Sequence, residues 1–420
     1  MLRGRRQSLR GTPRAGAGIA ILVAAVILSA CGSNKSETQQ GADGGSEKTV
    51  KIGVIAPLSG SLTALGLGIK NGADLAVRQA NEQKKIKGWK IVLSPEDDTA
   101  VPDVGANAAT KLSDDKAVMG VIGTLNSSVA EKVAPILNSQ KVVMVSPANT
   151  NPTLTQGPDP NRSIRPFEYY FRVATTDLIQ GPFAANYAYD TAKKRNVVVV
   201  HDKKTYGQGL ALQFKAQFEK NGGKVPTVET VEPEDKDFSA VLSKIKRYNP
   251  DMIYFGGEYP AASLLTSQAD QQGLKVPLMG GDGIFSGTFI SVAKAAGEGD
   301  LATSVGAPTD KLPTAQAFVD AYKAAGYADP YEAYGAYSYD AANVIIAGLA
   351  KVLDGQDKIT DELRPKLRQA IQDGSIDGVT GKVAFDEYGD TTTRILTVYK
   401  VEKGADGNLA WKPQETKEFK

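Results

Sequence analysis

Two rhythms of apolar positions alternate along this chain, and the switch between them marks out its elements. Residues 118–150 read VMGVIGTLNSSVAEKVAPILNSQKVVMVSPANT. A continuous apolar run at 118–122 has strand length. Val129, Val133, Ile136 and Leu137 then recur at helical spacing, and 142–145 is a second strand run. Both strands end in small polar residues, Asn126-Ser127-Ser128 and Ala148-Asn149-Thr150. In a parallel α/β sheet the ligand crevice lies at the carboxyl ends of the strands, where helix N-termini offer unpaired backbone N–H groups. The two turns are therefore candidates to hold an anion side by side.

The same rhythms continue on either side. Val50, Ile52, Val54 and Ala56 alternate as a strand, and Leu65, Ile69, Ala73, Ala76 and Ala80 form one helical face. Strands are expected at 89–93 and 169–173, with a helix over 104–112. A second series opens with a four-valine run entering His201-Asp202-Lys203-Lys204-Thr205-Tyr206-Gly207. Leu210, Phe214 and Phe218 then share a helix face, and a strand follows at 224–231. Phe238, Val241, Leu242, Ile245 and Tyr248 mark the next helix. Strands at 252–255 and 277–280 enter Gly256-Gly257-Glu258-Tyr259-Pro260 and Gly281-Asp282-Gly283, with a helix over 264–272 between them. Beyond a strand at 301–305, helical faces are carried by Phe318, Ala321, Tyr322 and Ala325, by Ala341, Val344, Ile345, Gly348 and Val352, and by Leu363, Leu367 and Ile371. Strands at 383–385 and 394–401 close the chain. Two successive βα series, over more residues than one core usually carries, predict two doubly wound, parallel-sheet α/β lobes.

The start of the chain follows neither rhythm. Arg3, Arg5, Arg6, Arg10 and Arg14 precede an apolar run at 20–28 that is short for a membrane span. Residues 1–30 read as a secretory leader. Leu28-Ser29-Ala30-Cys31 resembles a bacterial lipobox, which implies lipidation of Cys31 and two-chain anchoring to the membrane. Arg5-Arg6-Gln7-Ser8-Leu9-Arg10 resembles a twin-arginine export signal, with an ordinary basic region as the alternative. Residues 31–48 are polar and Gly/Ser-rich, as a flexible tether is. Removing the five leader arginines takes the formal net charge from +2 to −3, which argues against a nucleic-acid partner. A single cysteine excludes an intramolecular disulfide, and no Cys/His cluster has metal-ligand spacing.

Little in the chain suggests catalysis. His201 is the only histidine, with no nucleophile near it in sequence, and reads as structural or at a crevice edge. Gly66-Leu67-Gly68 lacks the spacing of a dinucleotide fingerprint, and no P-loop pattern occurs. Asp97-Asp98 and Asp114-Asp115 read as solvated loop charges. The strand ends carry more information. The first series offers neutral donors in Ser59-Gly60-Ser61, Asn126-Ser127-Ser128 and Ala148-Asn149-Thr150. The second offers Tyr206, Glu258 and Asp282. A ligand bridging them would be anionic at one end and cationic at the other, as a zwitterionic amino acid is.

The stretches KIGVIAPLSGSLTALG, GTLNSSVAEKVAPIL, VSPANTNPTLT, VVVVHDKKTYGQGL, DFSAVLSKIK, IYFGGEYP and LMGGDGI occur in an order, across roughly residues 50–400, that resembles the branched-chain amino-acid-binding proteins of ABC importers. The resemblance implies a type I periplasmic-binding-protein fold, with two lobes joined by a three-crossover hinge. Crossovers near 174–177, 299–302 and 381–383 would divide the chain into 50–175 plus 302–381 and 176–301 plus 382–415. It implies a non-enzymatic, monomeric capture subunit with no cofactor, held outside the cytoplasmic membrane and delivering Leu, Ile or Val to permease subunits. Ser127 and Thr150 would bind the ligand carboxylate, with the backbone at Ala148 and neighbouring Asn149. Asp282 would pair the ammonium, Tyr206 would close over the ligand, and Tyr334 and Leu65 would line the side-chain pocket. Glu258 departs from the tyrosine of well-known members. It either turns the pocket toward a more polar ligand, shares the ammonium with Asp282, or faces solvent at the lobe edge. The same fold binding an amide, a polar or aromatic amino acid or an acid is the alternative, with an enzyme further behind.

Overall fold

The first alternating stretch builds β1 (Lys48–Ala56), in which Val50, Ile52, Val54 and Ala56 are all fully buried. The computed structural model describes residues 48–159 and 162–419; Cys31 and the leader lie outside the described residues. β2 (Trp89–Asp97), β3 (Val118–Gly123), β4 (Val143–Ser146) and β5 (Tyr170–Arg172) follow, and the five strands form a parallel sheet in the order β2-β1-β3-β4-β5. Every residue of β3 and β4 is buried, as expected of central strands covered by helices on both faces. The helix Ser127–Ser139 connects them and buries Val129, Val133 and Leu137, three of the four positions read from spacing, while Ile136 is half-buried.

β6 (Val197–His201), β7 (Val228–Thr230), β8 (Met252–Gly256), β9 (Leu278–Gly280) and β10 (Leu301–Ser304) belong to a second sheet. A small hairpin of β11 (Ser375–Gly378) and β12 (Gly381–Ala384) comes next in the chain. β13 (Ile395–Lys403) and β14 (Leu409–Glu418) then return to the second sheet, antiparallel, giving the order β14-β13-β10-β9-β8-β6-β7. The chain passes between the two sheets three times. The first passage follows β5. The second follows β10, a few residues later than expected, because Leu301 and Ala302 pair with Met279 and Gly280 of β9. The third follows the hairpin, where an isolated bridge pairs Asp390 with Arg172 of β5, so it too lies beyond 381–383.

The helix Gly335–Val352 packs on the first-sheet helix Thr63–Glu82; Ser338 Oγ donates to Ile69 O at 2.6 Å. Its buried residues Ala341, Ile345 and Leu349 belong to the main apolar core, and each such side chain contributes about 1.5–3 kcal/mol when fully buried if it is a Leu, Ile, Val or Phe. Two glycines permit close backbone approaches at the strand ends. Gly123 ends β3 at φ +138°, where a Cβ would lie 2.2 Å from Ile55 O. Gly207 packs directly on Gly256, and a Cβ on Gly207 would lie 2.4 Å from Gly256 O. That close approach seats the helix Thr205–Lys220, and with it Tyr206, on the end of β8.

Candidate functional site

The carboxyl ends of β3 and β4 are bound into one platform. Ser146 Oγ donates to Thr124 O at 3.2 Å and accepts from Ala148 N at 3.2 Å and Asn149 N at 2.9 Å. Asn149 Nδ2 donates to Leu125 O at 2.9 Å, and Asn149 Oδ1 accepts from Tyr170 at 3.1 Å. The sequence reading puts Asn149 among the ligand contacts; its side chain is instead committed to bracing the two turns. Ala148 is buried beside it. The helix Ser127–Ser139 begins at this platform without a side-chain cap, since the amide of Asn126 points elsewhere. The hydroxyls of Ser127 and Thr150 are both buried, and neither makes a hydrogen bond of good geometry. Buried polar groups are normally paired, so these two hydroxyls beside an uncapped helix start have donors to spare for a further acceptor.

Facing this platform, the second sheet presents Asp282, which is almost wholly buried. Its Oδ1 accepts from Tyr206 at 2.8 Å and from Gln180 Nε2 at 2.9 Å, and its Oδ2 accepts from Tyr334 at 2.8 Å. A carboxylate has about four lone-pair positions, so Oδ2 retains room for one more donor. The Tyr206 hydroxyl accepts from Gly283 N at 3.0 Å, which aims its proton at Asp282. Burial pushes the Asp282 carboxyl up to about 6, against the hydrogen bonds from Tyr334 and Tyr206. Asp177, which opens the helix Asp177–Asn186, is fully buried with neither oxygen satisfied. Burial first, and the charge of Asp282 second, push it well above the usual carboxylate range; the nearby Thr150 hydroxyl opposes this. Tyr254, stacked on Phe214, adds a buried unpaired hydroxyl close to both acids.

Glu258 does not face solvent. Its Oε1 accepts from Asn126 Nδ2 at 2.5 Å across the cleft, and its carboxyl is hydrogen-bonded to that of Asp202. Burial raises both carboxyls; the charge of Glu258 pushes Asp202 up further, whereas Lys204 and the bond with Asp202 pull Glu258 back down. Further bonds also cross between the sheets. Tyr259 donates to Ser61 O at 2.6 Å, Asn151 Nδ2 to Thr205 O at 2.8 Å, and Thr205 Oγ1 to Glu131 at 2.9 Å. The cleft is closed. Leu65 is fully buried in the core at the start of its helix.

No signal in the sequence singles out Asp177, Gln180, Asp202 or Tyr254 as a site residue, and Asn126, read as part of an anion-holding turn, bonds Glu258 instead. Asp98, which reads from sequence as solvated, is fully buried and raised to about 7 by burial. His201 is structural: its Nδ1 accepts from Lys203 N at 3.1 Å. Among the described residues no group of three or more His, Cys, Asp or Glu could hold a metal, and no helix is long and apolar enough to cross a membrane. A hollow of about 380 Å³ lies away from the cleft, between the helix Gly335–Val352 and β11. Its acid, Asp340, is already satisfied by Val379 N, Thr380 N and the Thr380 hydroxyl.

Comparison with known proteins fits this two-sided cleft. The family described as periplasmic binding protein matches residues 49–407. The Leu/Ile/Val-binding protein BraC3 of Rhizobium johnstonii is 35% identical over 356 residues, 84% of this chain and 92% of the relative. Among solved structures, the leucine-binding protein LivK of Thermotoga maritima is 31% identical with a TM-score of 0.75, covering 86% of this chain and 97% of the other. The branched-chain amino acid transporter substrate-binding protein LivJ of Streptococcus pneumoniae, solved with isoleucine, is 27% identical with a TM-score of 0.75, covering 87% and 99%.

Proposed function

Because the chain belongs to the periplasmic binding protein family, we propose that it captures an aliphatic amino acid outside the cell membrane and hands it to an ABC permease. One observation carries this reading. One buried acid, Asp282, lies across a closed cleft from two buried hydroxyls, Ser127 and Thr150, and a second buried acid, Asp177, lies beside Thr150. That arrangement is complementary to a zwitterion. The ligand carboxylate meets Ser127, Thr150 and the N–H groups at the uncapped helix start. The ammonium occupies the open lone pair of Oδ2 on Asp282, with Asp177 as a second acceptor. Tyr206 and Tyr334, bonded to Asp282, wall the site. BraC3, LivK and LivJ are named for branched-chain ligands, which supports Leu, Ile or Val.

The cycle needs no covalent chemistry and no cofactor. An amino acid docks on the Ser127 and Thr150 turns, and closure brings Asp282 and Tyr206 onto it. The bonds from Asn126 to Glu258 and from Tyr259 to Ser61 form only in the closed state, so they add differential stability to the ligand-holding form. Glu258 is assigned to closure and not to the ligand, because its carboxyl is already engaged by Asn126 and Asp202. His201, held by Lys203, performs no catalysis. The protein works as a monomer tethered through lipidated Cys31.

A thermal-shift screen against the twenty amino acids tests the reading. Leu, Ile and Val should raise the melting temperature, by linkage of binding to the folded state. No response to any of the three would remove the branched-chain assignment. Extending the screen to amides, polar amino acids and aromatic acids tests the alternative ligands. Incorporation of labelled fatty acid, abolished by Cys31→Ser, tests the anchor.

A further inference from the structure

Beneath the carboxylate platform lies an arginine with no water contact. Arg172, the last residue of β5, is fully buried. Its Nε donates to Asp390 Oδ1 at 2.5 Å. Its Nη1 donates to Asn149 O at 3.1 Å and to Asn151 O at 2.8 Å, and its Nη2 donates to the Thr155 hydroxyl. The two carbonyls belong to the residues on either side of Thr150. The turn that carries Thr150 is therefore gripped from below at both its flanks by one rigid fork. Only a guanidinium offers enough donors in a fixed plane to hold two carbonyls, a hydroxyl and a counter-ion at once.

The other end of this grip is the third passage between the sheets. Asp390 lies there, and its Oδ2 accepts from Thr155 at 3.1 Å and Gln156 at 3.3 Å. The Arg172 backbone N donates to Gly389 O at 3.0 Å, so main chain and side chain are tied to the same segment. The first passage is bound to the same turn, since Asp177 N donates to Thr150 O at 2.9 Å. The turn is thus fastened to two of the three hinge segments. A buried ion pair is a poor way to gain stability, because desolvation offsets much of the attraction, and such pairs serve better to fix one geometry.

We propose that Arg172, held by Asp390, is a positioning residue: it sets the Thr150 turn for the ligand carboxylate and registers that turn to the hinge, without touching the ligand. This rests on the reading that Thr150 receives the carboxylate. The test compares leucine with 3-methylbutylamine, which has the same side chain and ammonium and no carboxylate, by calorimetric competition on the whole protein. The wild type should prefer leucine strongly. Arg172→Lys keeps the charge and loses the fork. It should weaken leucine at least tenfold while changing the amine less than threefold, so that the preference collapses. A role confined to stability would weaken both ligands in the same proportion and leave their ratio unchanged; that result overturns the proposal. If Arg172→Lys does not fold, Thr155→Val removes one acceptor of the fork and should shrink the ratio at least threefold, an unchanged ratio again overturning the proposal. If the wild type itself fails to prefer leucine over the amine, the assignment of the carboxylate to Thr150 falls first, and the positioning role with it.

Discussion

Replacing Asp282 by asparagine removes one charge and almost no volume. The acid holds Tyr206 and Gln180 on Oδ1 and Tyr334 on Oδ2. Asparagine keeps a carbonyl oxygen for the first two, and the Tyr334 hydroxyl can turn from donor to acceptor toward the new amide. The free protein should therefore melt within a few degrees of the wild type. Ligand binding should not survive so well. Losing one partner of a buried, hydrogen-bonded charge pair costs about 2–5 kcal/mol. Asp177, a buried acid near enough to feel the charge of Asp282, remains as a further acceptor for the ammonium, which favours the lower part of that range. A loss of about 2–3 kcal/mol corresponds to roughly 30- to 150-fold in affinity for leucine. Asp282→Ala differs in a useful way: it strands the Tyr206, Gln180 and Tyr334 donors, at about 1–3 kcal/mol for each buried unpaired group, and should lower the melting temperature as well. Calorimetric titration and thermal melting of both variants separate the two effects. An Asp282→Asn protein that binds leucine within threefold of the wild type would refute the ammonium assignment. The same carboxyl titrates near 6, so leucine affinity should fall as pH drops through about 6, when protonation removes the negative charge.

Ser127→Ala removes a buried, unpaired hydroxyl; affinity should fall roughly 10- to 150-fold, the scale of one hydrogen bond to a charged group, with the apo melting temperature unchanged, and a drop in apo stability would show that the hydroxyl is structural. Glu258→Gln keeps a carbonyl for Asn126 and gives Asp202 an amide donor in place of a second acid. Leucine affinity at pH 8.5 should hold or improve, whereas a loss above tenfold by titration would show that the carboxylate contacts the ligand. Asp98 and Asp300, both raised to about 7 by burial, bind more protons in the folded than in the unfolded state between about 4 and 7. Their contribution is therefore fully present in acid and lost as pH rises through 7, and the apo protein should melt at higher temperature at pH 6 than at pH 8.5; the opposite slope would contradict the burial of these acids.

Much of the fold is legible in the sequence because the core strands announce themselves. The valines before His201 and the apolar runs bounding the helix Ser127–Ser139 leave few alternatives to a buried parallel strand. The helix Asp177–Asn186 is hidden in the sequence because Gly181 and Pro182 interrupt its pattern. β14 is hidden because it is mostly polar and lies at an edge. The strand expected over 224–231 shrinks to three residues at the opposite edge. In the site, turn chemistry and the family resemblance point to Ser127, Tyr206, Asp282 and Tyr334, and the last three meet in one hydrogen-bonded group. Pairing at long range cannot be read in this way. Gln180 meets Asp282 across 102 residues, Asn126 meets Glu258 across 132, and Arg172 meets Asp390 across 218. No local spacing encodes such a meeting. For the same reason Asp98 looks like an ordinary loop acid: burial belongs to the packed helix and strand around it and not to its neighbours in sequence.

The edges of the two sheets bear on whether copies of this protein stay separate when they crowd together. An open strand edge is a template for another chain. In the first sheet one edge, β5, is three residues long, and the other, β2, carries Pro95 followed by Glu96 and Asp97. In the second sheet β7 is equally short, while β14 carries Lys412, Pro413, Glu415, Lys417 and Glu418. Each edge is either too brief to recruit a strand or interrupted by proline and charge. Copies brought to high local concentration can thus collide without their sheets joining.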